Sequence, residues 1–222
     1  MERPKICAVI VDDDLESVRK VEPFVDLFEV RIDLIGGGWQ ELIRQFKKPW
    51  IGCNRRADEG GRWQGDEAER VEKLLKAAEL GADIIDLELG TEDLKAAMEL
   101  IKKRAKCLLS IHDLEETAAL NNLKEIVKRQ LEAGADICKV VTTAQSLEDN
   151  LTVLQLVSEF PQTRIVSFAM GPLGMVSRVL CPLVGGDFTY ASIEQGKESA
   201  PGQIKVRRLR RLYEMLESIG ED

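Results

Sequence analysis

The chain has little of what many functional classes require. Among its 222 residues there is one histidine, five cysteines and 5% aromatic residues. No apolar run approaches the ~18 residues that a membrane span needs. A single histidine excludes a His-rich metal site. The cysteines (Cys7, Cys53, Cys107, Cys138 and Cys181) are odd in number, widely spaced and without a C-x-x-C pair. That pattern suits neither a secreted disulfide scaffold nor a structural zinc site; four of them sit in apolar strand-like runs, where a free cysteine acts as a small buried hydrophobe. Lysine and arginine total 31 against 39 acidic residues, a formal net charge of -8. A sequence-independent grip on nucleic acid needs clustered cations, and the cluster Arg207 to Arg211 reads as the solvated face of a terminal helix. The start, MERPKICAVIV, enters a short apolar strand without the longer core of a signal peptide. The expectation is a soluble, cytoplasmic protein with no nucleic-acid and no membrane partner.

What is present is a regular alternation of short β-branched runs and longer amphipathic stretches. Strands are expected at Ile6–Val11, Leu27–Asp33, Trp50–Arg55, Asp83–Leu89, Cys107–Asp113, Ile137–Thr143, Arg164–Met170 and Asp187–Ser192. Between them, Asp66–Leu80 carries Val71, Leu74, Leu75 and Ala78 on one stripe and stops at Gly81. Leu123–Ala133 repeats Leu123, Ile126, Val127 and Leu131 and stops at Gly134, and Gln203–Ile219 forms a last helix. The phrases ELGADIIDLEL and EAGADICKVV are near-copies, each a helix end, a Gly-Ala-Asp turn and a strand. Eight such βα units predict a (β/α)8 TIM barrel, with residues 1–222 forming a single catalytic domain. An open doubly wound sheet would carry a glycine-rich turn after its first strand, and VDDDLESV has no glycine.

A parallel strand covered on both sides should read as continuously apolar, and several of these do not. Glu29, Arg31 and Asp33 alternate with Phe28, Val30 and Ile32; Asp86 and Glu88 alternate with Ile85, Leu87 and Leu89; Ser110 and His112 share one parity; Lys139 stands against Cys138 and Val140. Side chains alternate across a strand, so each polar set points into the barrel while the apolar set packs on the helices. A buried salt-bridge network that only fixes register is one account, but Val or Leu would serve stability better. Toward the strand C-termini such groups line the end where barrel enzymes keep their active sites. Lys139 is the most informative: a buried lysine made neutral is a nucleophile toward carbonyls and forms imines, and apolar neighbours with Arg31, Arg55 or Arg178 nearby are expected to lower its pKa. His112, one strand earlier on the same parity, is the proton-exchanging partner.

At these residues the chain resembles the type I 3-dehydroquinate dehydratases, the Schiff-base barrel enzymes of the shikimate pathway. FEVRID resembles that family's E-x-R-x-D strand, and NRRADEGG its R-x-x-x-E-G-G segment. DLEL, SIHD and CKVV follow in order. AMGPLGMVSR resembles the M-G-x-x-G-x-x-S-R stretch, and SAPGQ the closing motif. The resemblance implies that Lys139 forms an iminium with the ketone of 3-dehydroquinate. It casts His112 as the base that removes a proton from the adjacent carbon and returns it to the departing hydroxyl, with Glu59 orienting the imidazole. It also implies a carboxylate clamp at Arg178, ring-hydroxyl contacts from Glu29, Arg31 and Arg55, and closure by Ser199 and Gln203. No cofactor and no metal are implied, and a homodimer is expected. Val9 stands where many members carry a small hydroxyl residue, and the loop IEQGKES is charged and longer than in some relatives.

Two other readings start from the same residues. An imine-forming aldolase shares the barrel and the lysine, but a sugar-phosphate substrate needs a cradle of glycines and backbone amides near strands seven and eight. Here Gly185 and Gly186 precede strand eight, and Glu194 and Glu198 follow it. A non-catalytic barrel would have no need of both Lys139 and His112.

Overall fold

The computed structural model describes residues 3–194 and 196–219; the chain ends and Gln195, inside the charged loop, lie outside the described residues. Eight strands form where the alternation places them: β1 (Ile6–Ile10), β2 (Leu27–Arg31), β3 (Trp50–Cys53), β4 (Ile84–Glu88), β5 (Lys106–His112), β6 (Ile137–Thr143), β7 (Ile165–Met170) and β8 (Thr189–Ser192). They make one parallel sheet in the order β7-β6-β5-β4-β3-β2-β1-β8. Its two edges meet where the Asp187 N–H donates to the Ile165 carbonyl at 2.8 Å, giving a nearly closed TIM barrel. The helices are α1 (Leu15–Val21), α2 (Ile32–Ile35), α3 (Trp39–Ile43), α4 (Glu67–Glu79), α5 (Leu94–Ile101), α6 (Leu120–Ala133), α7 (Asp149–Glu159), α8 (Met175–Leu180) and α9 (Val206–Ile219).

The strand parity read from the sequence sorts the residues between two environments. Outward residues such as Ile6, Phe28, Val30, Ile85 and Leu87 pack with Leu74, Ala77, Val206 and Leu209 of the helices, and Cys138, Val140 and Ile165 pack with Leu123, Val127 and Val153. Each fully buried side chain of this kind contributes roughly 1.5–3 kcal/mol. Inward, Cys7, Leu27, Ile51, Ile84, Leu108, Ile137, Val166 and Phe188 belong to one apolar cluster inside the barrel. The polar residues Glu29, Asp86, Ser110 and Lys139 follow two residues later on their strands, nearer the C-terminal ends.

Several boundaries differ from the sequence reading, three of them at residues that bear on the site. β2 stops at Arg31, and Asp33 falls in α2, from where its carboxylate turns back onto Arg31. β3 stops at Cys53, leaving Arg55 in the loop. α9 begins at Val206 rather than Gln203, because Pro201 and Gly202 (φ 80°) hold the chain in a turn. A side chain at Gly202 would place its Cβ 2.5 Å from the Gly171 carbonyl oxygen.

The repeated Gly-Ala-Asp turns have a mechanical role. Gly81 and Gly134 both take φ 95°, ending α4 and α6 in a conformation that glycine adopts without strain. The aspartates that follow, Asp83 and Asp136, accept the N–H groups of Trp50, the first residue of β3, and Cys107, the second of β5, at 3.0 and 2.8 Å. Asp26 does the same for Ile6 at 2.9 Å. It also receives Arg210 at 2.6 Å, and Arg210 donates to the Phe24 and Pro4 carbonyls as well. The basic cluster is therefore not wholly a solvated face: Arg210 is buried and ties α9 to the bottom of the barrel.

Replacing Asp26 by Ala leaves the Ile6 N–H and one arm of a buried guanidinium without an acceptor, and is expected to destabilise the fold by about 2–4 kcal/mol. Urea unfolding checks this through a lower midpoint at unchanged slope.

Candidate active site

The C-terminal ends of the strands bring the polar residues to one place. β5 and β6 pair with Ser110 opposite Lys139 and His112 opposite Val141, so His112 sits one inward step beyond Lys139 on the neighbouring strand. The Lys139 ammonium nitrogen lies 2.8 Å from Asp86 Oδ2 and 3.5 Å from Glu29 Oε2, and 4.2 Å over the ring of Tyr190. Asp86 is fully engaged: its Oδ1 accepts the Ser110 hydroxyl at 2.6 Å, and its Oδ2 also takes Arg55 at 2.6 Å. Arg55 reaches Ser110 at 2.6 Å and Glu88 at 3.1 Å. Glu88 is held from behind by Arg70 of α4 at 2.5 Å.

His112 is held by the β3–α4 loop. Glu59 Oε2 accepts the His112 backbone N–H at 3.1 Å and lies 3.0 Å from Nδ1. The two glycines of the NRRADEGG segment shape this loop. Gly60 takes φ 80°, and a Cβ at Gly61 would sit 2.0 Å from the Arg55 carbonyl oxygen. The loop closes on Arg55 only because Gly61 has no side chain.

Electrostatics assign a state to each group. Burial, with Arg55 and Lys139 nearby, depresses the His112 pKa well below its ordinary value, so the imidazole rests neutral. Burial raises the Glu59 carboxyl to about 7, against the opposing pull of Arg55. Lys139 departs from the sequence expectation. Burial does act to lower its pKa, but the carboxylates of Asp86 and Glu29 outweigh burial and Arg55, and the net shift is upward. The resting amine is an ammonium, because the strand parity that made the lysine conspicuous also places two carboxylates against it. Burial works against ionised Asp86, yet Arg55 and Lys139 hold its pKa well below the usual carboxylate range.

Arg178, in the last turn of α8, is the opposite case. It is buried, its guanidinium lies 4.2 Å over the Phe168 ring, and its Nε and one terminal nitrogen have no hydrogen-bond partner among the described residues. Burial without a carboxylate lowers its pKa to about 10. An unmatched buried cation at a cavity wall is a seat for an anion. On the last loop, the Ser199 N–H donates to Gln203 Oε1, and Gln203 Nε2 to the Ser199 hydroxyl, both at 2.9 Å. Lys197 of the same loop pairs with Asp12 and Asp14 beyond β1, each at 2.9 Å.

All nine residues singled out from the sequence, namely Glu29, Arg31, Arg55, Glu59, His112, Lys139, Arg178, Ser199 and Gln203, line one cavity of about 290 Å³, a size that suits a small metabolite. Val9 is not among its lining residues; it is buried in the apolar cluster inside the barrel. Sequence reading passed over Tyr190, whose parity resembles core packing, and left Asp86 and Ser110 without a role although both share the inward face. Arg70 was missed too, though it lies four residues before Leu74 on the buried face of α4. Glu29, Cys53 and Asp86 bring ligand atoms within 4.8 Å of one another. The fit to a metal is poor: Lys139 and Arg55 already occupy Asp86, and burial pushes the Cys53 thiol up, keeping it protonated.

A parallel barrel that brings a lysine, a neutral histidine and an unmatched arginine to one cavity has the groups that an imine-forming enzyme of a small anionic carbonyl compound needs. Comparison with known proteins narrows this. Residues 6–219 match the family model described as type I 3-dehydroquinase. A 3-dehydroquinate dehydratase of Dehalococcoides mccartyi is 42% identical over 214 residues, spanning 96% of each chain. That of Methanocaldococcus jannaschii is 34% identical over 220 residues, spanning 96% of this chain and 99% of its own. The crystal structure of 3-dehydroquinate dehydratase from Geobacillus kaustophilus, 27% identical, matches with a TM-score of 0.85 over 98% of this chain and 92% of its own. The chain belongs to the type I 3-dehydroquinase family, and is a hydro-lyase.

The lone histidine makes one state directly observable. Above about pH 7 ionised Glu59 accepts the Nδ1 proton and leaves Nε2 free; below it, protonated Glu59 donates to Nδ1 and the ring proton moves to Nε2. Nitrogen-15 NMR of the single imidazole is expected to report this tautomer change near pH 7 with no imidazolium, and Glu59→Gln to abolish it. An imidazolium forming at the ordinary histidine pKa contradicts the assignment.

Proposed function

We propose that this chain converts 3-dehydroquinate to 3-dehydroshikimate and water through an imine on Lys139, in the biosynthesis of aromatic amino acids. The observation that carries the reading is the unmatched Arg178 guanidinium in the same cavity as Lys139 and His112. The substrate carboxylate seats on Arg178, where a planar fork meets a planar anion. That places the ketone toward Lys139 Nζ, and condensation releases water and leaves an iminium. The positive nitrogen draws electrons from the neighbouring carbon, so its proton becomes removable. His112 Nε2 takes that proton while Glu59 holds the Nδ1 proton in place. The imidazolium so formed returns the proton to the hydroxyl leaving the next carbon. Hydrolysis of the conjugated iminium then frees product and restores Lys139. Glu29, Arg31 and Arg55 contact the ring hydroxyls, and Ser199 with Gln203 closes the cavity. The iminium serves as the electron sink, so the mechanism calls on no cofactor and no metal.

Residues 1–222 act as one catalytic domain in this reading. The charge of -8 and the absence, among the described residues, of a helix long and apolar enough to cross a membrane support a cytoplasmic enzyme of small molecules, without a nucleic-acid partner. A homodimer is supported by exposed apolar side chains on α7 and at the start of α8. Leu151 and Val176 belong to this surface, as do Leu147 and Leu173, whose carbonyls share the Asn150 amide.

Borohydride added with 3-dehydroquinate is expected to fix a covalent adduct on the peptide containing Lys139, read by mass spectrometry. A label on another lysine contradicts the reading. Arg178→Ala is expected to raise KM by about 10²-fold, as loss of a buried charge-assisted pair does, and an unchanged KM removes the clamp.

A further inference from the structure

Imine formation at Lys139 leaves one requirement unmet by the roles above. The resting amine carries a proton too many, and an ammonium has no lone pair with which to attack a carbonyl. A group within reach of Nζ has to accept that proton. Asp86 is nearest at 2.8 Å, but both of its oxygens are committed, one to Ser110 and the other to Arg55 as well as Lys139. Protonating it would break strong charge-assisted hydrogen bonds. Glu29 differs. Its Oε2 lies 3.5 Å from Nζ, is buried, and has no hydrogen-bond partner among the described residues.

The other groups facing this point do not compete. Cys7, Cys53 and the Tyr190 phenol are buried and stay protonated, so none offers a basic atom. Arg55 and Arg31 are cations, and Arg55 favours proton loss from its like-charged neighbour. His112 is one inward step away on β5, and Lys139 and Arg55 themselves weaken its hold on a proton.

We propose that Glu29 is the proton acceptor for Lys139 during imine formation and the acid that completes it, a role beyond contact with ring hydroxyls and resting on the imine reading above. The Glu29 carboxylate takes one proton from the ammonium. The freed lone pair forms the C–N bond as the carbonyl π pair moves to oxygen, and a second nitrogen proton passes to that oxygen to give the carbinolamine. Protonated Glu29 then gives its proton to the carbinolamine hydroxyl. The C–O bond breaks with its electron pair to make water, and the nitrogen lone pair closes the iminium. An ammonium and a ketone have become an iminium and water, nothing is oxidised or reduced, and Glu29 ends as the carboxylate it began.

The test is a single-turnover experiment with enzyme in excess over 3-dehydroquinate, quenched with borohydride at successive times and read as adduct mass, between about pH 6 and 9, for the wild type, Glu29→Gln and Glu29→Asp. Adduct in the wild type reports on the imine itself; the variants report on the proton acceptor. Glu29→Gln is expected to slow adduct formation by about 10²-fold near neutrality. The deficit should shrink as pH rises and solvent deprotonates the amine, and Glu29→Asp should recover part of the rate. The opposite outcome is built into the site, because Glu29 also helps to hold the amine as an ammonium. If its charge acts only in that way, Glu29→Gln forms adduct as fast as the wild type or faster, and the proposal is overturned. A deficit equal at every pH overturns it too, since that marks a residue that only positions. Absence of adduct in the wild type overturns the imine reading, and this step with it.

Discussion

Asp86 is the pivot of the site. Its two oxygens take the Ser110 hydroxyl, the Arg55 guanidinium and the Lys139 ammonium, all within 2.8 Å. Left alone in a barrel interior, a carboxylate or an ammonium would cost several kcal/mol and would neutralise instead. Set together, they stay ionised, and the amine is fixed at one point of the cavity wall. From Arg55 the network continues to Glu88 and then to Arg70, so the helical layer braces the strand ends. Removing one member strands the others as unpaired buried charges, which is why such a site stays as a unit.

Against this balanced set stands one imbalance. Arg178 has an aromatic face beneath it but, among the described residues, no anion beside it. The cavity is thus neutralised wherever the protein supplies both partners and left cationic at Arg178, where in the proposed reaction the substrate carboxylate supplies the second. Lys139 and Arg178 are both buried cations, yet one is shifted up by its carboxylates and the other down by burial alone. In the proposed mechanism that contrast separates the reacting amine from the binding group more clearly than residue type does.

Much of this was legible before any coordinates. Strand parity alone put Glu29, Asp86, Ser110, His112 and Lys139 inside the barrel, because alternation is a property of the extended chain and the outward set was unbroken in its apolarity. The family resemblance added Glu59, Arg178, Ser199 and Gln203, which sit on loops and a short helix where periodicity says nothing. What could not be read was the pairing. Lys139 was expected to rest neutral because arginines were foreseen near it, but the nearest charges are carboxylates from β2 and β4, an across-the-barrel relation that no local spacing encodes. Asp33 and Arg55 were assigned to strands that end two residues earlier: the Asp33 carboxylate turns back onto Arg31 from α2, and the Arg55 carbonyl accepts the Trp63 N–H of its own loop. The Gly-Ala-Asp repeats were visible as repeats, while the reason for their aspartates, an acceptor for an N–H at the start of the preceding strand, needed the register.

The most direct measurement is a crystal structure of the enzyme reduced with borohydride in the presence of 3-dehydroquinate. The account predicts unbroken density from Lys139 Nζ to the former carbonyl carbon, the carboxylate seated on Arg178, and the carbon beside the reduced bond within reach of His112 Nε2. A ligand whose carboxylate lies on Lys139, or whose ring turns away from His112 while Arg178 stays unpaired, would contradict it.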